Sequence, residues 1–414
     1  MKFFYKTLLL GVFLTALAVV SPTFAQDVCA DIEANQALYK VYTDNYKGPI
    51  TEETLPAREK AVAAAKEYVE KYANCADFEA QVNYLKTAGP SLAAKIEAGK
   101  IEIAKQKRYI RFNQAAKNGQ TAELFEAGKD ILKYEPDFLD VIIVLASVGL
   151  DEAADKKNNT YNNEALSYAK SAISKIEGGA ESKEYGLFGY IYKTKENTLG
   201  WMNYTIGYIM YYPQNNKDAA LPYFYKATQF NSETKDRYFI YDLIGDFYAA
   251  KASKLGEEII ALIEANEGKE TDETKQKFAL QKGYAERAAD AYARAYSLSK
   301  TAKPAPKADY VSGLKQRLEA FYKFRFITDP ETPQTEIDSQ LTSYVASVSS
   351  KPFPSPTSEV QPVAPPAEEE KTDSANTSSM ATPSKPAPKP AAASGNGTKG
   401  KSEADKTANK PNQR

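Results

Sequence analysis

A chain of 414 residues with a net charge of −1, 26% charged and 12% aromatic residues has the material for two or three ordinary domains. A mean hydropathy of −0.51 excludes a membrane bundle, and near-neutrality without a basic bias excludes the electrostatic footprint of a nucleic-acid binder. The chain has no histidine, which removes the commonest general base, the usual metallohydrolase ligand and any Ser/His or Cys/His pair; its two cysteines are too few for a Cys-rich zinc site.

Lys2 and Lys6 precede an apolar run over 8–20, and Thr23-Phe24-Ala25 puts small residues where a signal peptidase reads them. Residues 1–25 are expected to be a cleaved signal peptide. The alternative, an uncleaved anchor, would need about 20 apolar residues to span a bilayer. Cys29 follows Gln26, Asp27 and Val28, unlike a lipobox, so no lipid anchor is expected, and no transmembrane segment remains after cleavage. Export, to the periplasm or beyond the cell, favours a disulfide between Cys29 and Cys75.

Helical spacing supports that pairing. Ile32, Tyr39, Tyr42 and Tyr46 mark one helix, Ala61, Ala65, Tyr68 and Tyr72 a second, and Lys47-Gly48-Pro49 separates them. An antiparallel hairpin of helices about 24 and 27 Å long sets the start of the first beside the end of the second, where the cysteines lie. Residues 26–100 are therefore expected to be disulfide-stapled helical hairpins. Asp77 is expected to cap a helix that Ala88-Gly89-Pro90 ends, with a new helix running from Ser91 to Asn118-Gly119. Residues 121–134 answer it, and Pro136 stops them.

Small and aromatic residues then recur at fixed spacings. Leu145-Ala146-x2-Gly149 is followed, past a polar insertion over 155–163, by Ala165, Ala169 and Ala172. Ile206-Gly207-x2-Met210 is followed by Ala220, Phe224 and Ala227, with Pro222 placed in a first helical turn, and Ile244-Gly245-x2-Tyr248 by Ala288, Tyr292 and Ala295. The chain resembles the tetratricopeptide (TPR) superfamily over 109–298, and the resemblance implies an all-α, TPR-like helical-repeat solenoid of antiparallel helix pairs. It also implies a protein-binding scaffold whose concave face takes a peptide or helix. Tyr248 and Ala288 are 40 residues apart where the repeat has about nine, which implies a projecting hairpin. Residues 310–326 fit a capping helix that completes the repeats over 101–329. From 330 to 414 the pattern decays into Pro, Ala, Ser, Thr and Lys, and this C-terminal tail is expected to be disordered. Its end is basic, which suits either a solvated spacer or weak contact with cell wall or anionic lipid.

One aromatic cluster stands out before the Ile206 repeat: Tyr185, Phe188, Tyr190, Tyr192, Trp201 and Tyr204. It reads two ways, as rings packing an insertion onto the helices or as contacts for a partner, glycan or small ligand. Residues 395–402 satisfy G-x-x-x-x-G-K-[ST], but flanks of Ala, Ser, Pro and Lys supply neither strand nor helix, so the match reads as chance composition. Carboxylates fall on solvated helix faces without a dyad spacing. The sequence thus points to an exported bacterial envelope scaffold for protein–protein interaction, with a glycan- or small-ligand-binding helical protein as the alternative. No catalytic set, cofactor or metal is expected.

Overall fold

The computed structural model describes residues 28–363, which are 73% helical and hold twelve α-helices with no strand among them. The expected signal peptide, the Gly-rich match over 395–402 and the basic chain end lie outside the described residues. Two compact units result, Met1–Ile110 and Arg111–Arg414, so the division falls inside a continuous helix and not at residue 100.

In the first unit, α1 (Ile32–Asn45) begins where the Asp31 carboxylate accepts the Ala34 amide at 3.0 Å. It packs on α2 (Leu55–Tyr72), whose Ala61, Ala65, Tyr68 and Tyr72 form one buried stripe. Asn35 donates to the buried Tyr68 hydroxyl at 2.8 Å, and the guanidinium of buried Arg58 donates to the Asn45 carbonyl, closing the end of α1. Cys29 and Cys75 are bonded, with Cα atoms 5.4 Å apart, as the hairpin geometry requires.

The expected break at Ala88-Gly89-Pro90 does not occur; α3 runs unbroken over Glu79–Lys117. Gly89 is a packing residue, since a Cβ there would sit 3.2 Å from the Ala65 methyl on α2. Pro90 removes one helical hydrogen bond, yet Leu85, Leu92 and Ile96, all buried, hold the helix on one face across it. Tertiary burial outweighs the local breaker signal.

The second unit holds α4 (Thr121–Tyr134), α5 (Leu139–Ala154), α6 (Asn162–Glu177), α7 (Lys195–Tyr211), α8 (Lys217–Ala227), α9 (Tyr238–Ala265), α10 (Asp272–Ser299), α11 (Ala308–Phe326) and α12 (Gln334–Ser349). Helices pair as α5 with α6, α7 with α8 and α9 with α10. A close glycine contact occurs in each pair, at equivalent positions in the last two and one turn later in the first. A Cβ added at Gly149 would lie 2.4 Å from the Ala165 methyl, at Gly207 2.7 Å from the Phe224 ring, and at Gly245 2.6 Å from the Tyr292 ring. Each first helix therefore presents a glycine to the second helix of its pair, and the axes approach closely there. Ala165, Ala169, Ala172, Ala220, Ala227, Ala288 and Ala295 are fully buried around these contacts.

Helices α9 and α10 extend to about 42 Å each and join through a turn with Gly268 at φ +83°, so the long hairpin expected from the 40-residue spacing is present. Pro222 sits in the second turn of α8, past the expected first-turn position, and leaves the Asp218 carbonyl without a helical partner. The expected tail boundary at 330 also shifts. Residues of α12 put Ile337, Leu341 and Val348 into the core, and 350–363 continue as a non-helical strap along α10, with a turn at 355–358, in which Phe353 is buried.

Candidate functional site

A groove of about 1390 Å³ opens on the first helices of the second unit. Its floor comes from α7, where Tyr204, Tyr208 and Tyr212 recur every fourth residue and so share one face. From α9 come Phe239, Asp242, Leu243 and Asp246, again on one face. The third wall is the α10–α11 connection over 301–307, with Lys303, Pro304, Pro306 and Lys307, followed by Tyr310 of α11. Asp155 and Asn159 from the α5–α6 loop, with Glu233, Asp236 and Arg237 just before α9, add polar groups.

A charged network stiffens the α9 wall. The Arg317 guanidinium donates to Asp242 Oδ2 at 3.1 Å and to Asp246 Oδ1 at 2.8 Å, and lies over the Tyr292 ring 5.2 Å from its centre. Tyr310 donates to Asp242 Oδ2 at 2.5 Å and Tyr292 to Asp246 Oδ1 at 2.7 Å. Asp242 Oδ1 lies 2.9 Å from Arg317 Nη2 without a well-aligned donor. Burial is the dominant influence on that carboxyl and pushes it up to about 6, against the opposing pull of Arg317. Tyr310 and Tyr292 are pushed up too, first by burial and then by the carboxylate each faces. The α9 wall thus carries a partly desolvated acid pair fixed by one arginine. Among the described residues no group of three or more His, Cys, Asp or Glu could hold a metal ion.

The aromatic cluster separates into core and surface. Tyr185, Tyr192, Trp201 and Tyr204 are buried, with Trp201 set edge-on to Tyr204 at 5.6 Å and the Arg237 guanidinium 5.7 Å from its ring centre. Tyr190 is half-buried and donates to Asp151 Oδ2 at 2.6 Å. Phe188 alone stays exposed, packed against Phe112 at 5.9 Å. The insertion over 178–194 is pinned by Asp140, which accepts from the Ser182 hydroxyl at 2.5 Å and the Gly186 amide at 2.8 Å. Gly186 is obligatory at φ +126°, where a Cβ would collide with the Tyr190 carbonyl at 1.9 Å. Of the six rings, only Tyr204 reaches the groove; the other five are placed away from it as packing or peripheral residues.

No protein-family model, curated protein or solved structure matches this chain. The groove residues Tyr208, Tyr212, Phe239, Asp242, Asp246 and Tyr310 were not legible as a site in the sequence. Tyr204/Tyr208/Tyr212 is a helical stripe beside the Gly207 contact and could have been found by its four-residue period. The Asp242–Arg317 pairing spans 75 residues and has no local signal.

Proposed function

We propose that this is an exported scaffold, of the TPR kind, whose second unit takes an extended segment of another protein in the α7–α9–α11 groove. The observation that carries this reading is the groove itself, larger than a drug-sized pocket, floored by a tyrosine stripe and walled by fixed carboxylates. Tyrosine offers large, rigid contact area with a hydrogen-bonding tip, which suits peptide recognition at low entropic cost. Tyr212, 51% exposed, is the ring a partner would meet first. The Cys29–Cys75 bond and the absence, among the described residues, of any helix long and apolar enough to cross a membrane agree with a location outside the cytoplasm.

The glycan alternative rested on the aromatic insertion, most of which packs in the core, so it would have to rely on the groove tyrosines as well. Immobilised full-length protein exposed to envelope extract and, separately, to a glycan array distinguishes the two. A stoichiometric protein partner lost on Tyr212→Ala with Phe239→Ala supports the scaffold reading. Glycan binding with no protein partner, or a partner indifferent to both substitutions, contradicts it.

A further inference from the structure

The strap over 350–363 is held in the manner of a bound peptide. Its one aromatic side chain, Phe353, is buried between Tyr225 and Tyr241, with ring centres 5.8 and 5.2 Å away, and the Arg294 guanidinium covers it 5.0 Å from its centre. Most of the remaining grip is on main-chain oxygens. Arg294 donates to the carbonyls of Lys351 at 2.9 Å and Pro352 at 3.3 Å, Tyr225 to that of Phe353 at 3.3 Å, and Arg287 to that of Ser355 at 3.4 Å. Arg287 also reaches the Ser358 hydroxyl at 2.8 Å, and the Val363 amide donates to the Ala279 carbonyl at 2.9 Å.

The receiving surface is shaped for this backbone. Gly283 of α10 is a notch, because a Cβ there would stand 2.3 Å from the Gln361 carbonyl oxygen. Contacts at Arg294, Arg287, Gly283 and Ala279 meet Phe353, Ser358, Gln361 and Val363 in turn, so the strap runs antiparallel to α10. Pro352 and Pro354 fix φ and bias their neighbours to extended backbone around Phe353, and Pro356 sits in a turn whose Ser358 amide donates to the Ser355 carbonyl at 3.2 Å; fixed φ at all three lowers the ordering cost of the segment.

We propose that the α8–α9–α10 face is a linear-motif receptor, separate from the groove, that reads a phenylalanine flanked by prolines in a short extended stretch followed by a turn; residues 351–363 are its resident ligand in cis. Its external ligand is a protein segment of the same chemistry. An aromatic anchor in a pocket with arginine on its ring and carbonyl-directed donors along the backbone is sequence-tolerant outside the anchor.

The test uses the full-length chain and a fluorescein-labelled peptide with the sequence of 351–363. Phe353→Ala weakens the cis ligand and leaves the receptor intact, so the peptide binds this variant saturably and at least about tenfold tighter than it binds wild type, where the tethered strap competes at high effective concentration. Adding Arg294→Ala, or replacing the peptide's phenylalanine with alanine, weakens binding by about tenfold or more. No saturable binding to a folded Phe353→Ala chain at about 1 mM peptide, or equal binding to wild type, overturns the proposal. Should Phe353→Ala fail to fold, hydrogen exchange on wild type decides. The Val363 amide exchanges about a hundredfold faster than the buried amides around Ala288 if the strap detaches by itself, and equal protection overturns the proposal.

Discussion

Gly245→Ala tests the repeated glycine contact on which the helix pairs rest. The new methyl would lie 2.6 Å from both Cδ1 and Cε1 of Tyr292, closer than real Cβ atoms approach a neighbour. Tyr292 cannot retreat cheaply, since its ring is 1% exposed, its hydroxyl is bonded to Asp246 and Arg317 covers its face. Overpacking of a fixed neighbour costs about 1–3 kcal/mol, against which alanine returns about 1 kcal/mol of helix propensity. The expected net loss is about 0–2 kcal/mol, or up to about 8 °C in Tm for a unit of this size. Gly313→Ala in α11 is the control, because its Cβ would meet nothing within 4 Å, and it should stabilise by about 0.5–1 kcal/mol. Urea and thermal denaturation followed by helical circular dichroism read both. In a Tyr292→Ala background the Gly245→Ala penalty should vanish or reverse. A Gly245→Ala protein stabilised as much as Gly313→Ala, or one equally destabilised with and without Tyr292, refutes the reasoning.

Three further outcomes follow from the same structure. Removing the Cys29–Cys75 bond by paired serine substitution should cost the first unit about 4 kcal/mol on the chain-entropy scale for a separation of 46 residues; a urea midpoint unaffected by reductant would discount the staple. Asp242 binds its proton more tightly folded than unfolded, so its contribution to stability is complete below its ordinary value of 3.8 and is lost as pH rises through about 6, on the order of 3 kcal/mol in all. The wild-type-minus-Asp242→Asn difference in unfolding free energy should therefore fall between about pH 4 and pH 6, and a flat difference there would show that the carboxyl is not desolvated as described. Glu152, buried and accepting from Thr121 at 2.7 Å and Asn158 at 2.7 Å with Lys156 beside it, is held below the ordinary carboxylate range by those donors despite burial. Its contribution is present above the unfolded value and is lost as pH falls through the folded one, so Glu152→Ala should cost about 2–3 kcal/mol at pH 7 and less in acid.

Much of the fold was legible because close helix approach is coded locally. Gly149, Gly207 and Gly245, and the alanines and rings of the following helices, announce their contacts by spacing alone. The long α9–α10 hairpin was legible for the same reason, as a lengthened interval between two well-formed halves. Pro90 misled because a local breaker signal carries no information on the apolar face that holds a helix across it, while Pro222 was read inside α8 but one turn too early. In α12, Ile337, Leu341, Tyr344 and Val348 have helical spacing, but the proline-rich composition on either side obscured it. Phe353 had a signal too, as the one aromatic residue after Ser350, although nothing local says that Tyr225, Tyr241 and Arg294 converge on it. The aromatic cluster was visible as composition, but whether a ring faces core or groove depends on helices distant in sequence, and only Tyr204 of the six lines the groove.

The groove is tested most directly by a photo-crosslinking amino acid placed singly at Tyr212 and, as an exposed control on the same unit, at Phe278, which is 43% exposed. Irradiation in the cell should join one discrete protein to the chain from position 212 and none from position 278. Crosslinks from 278 with none from 212 would contradict the assignment of the groove as the binding site.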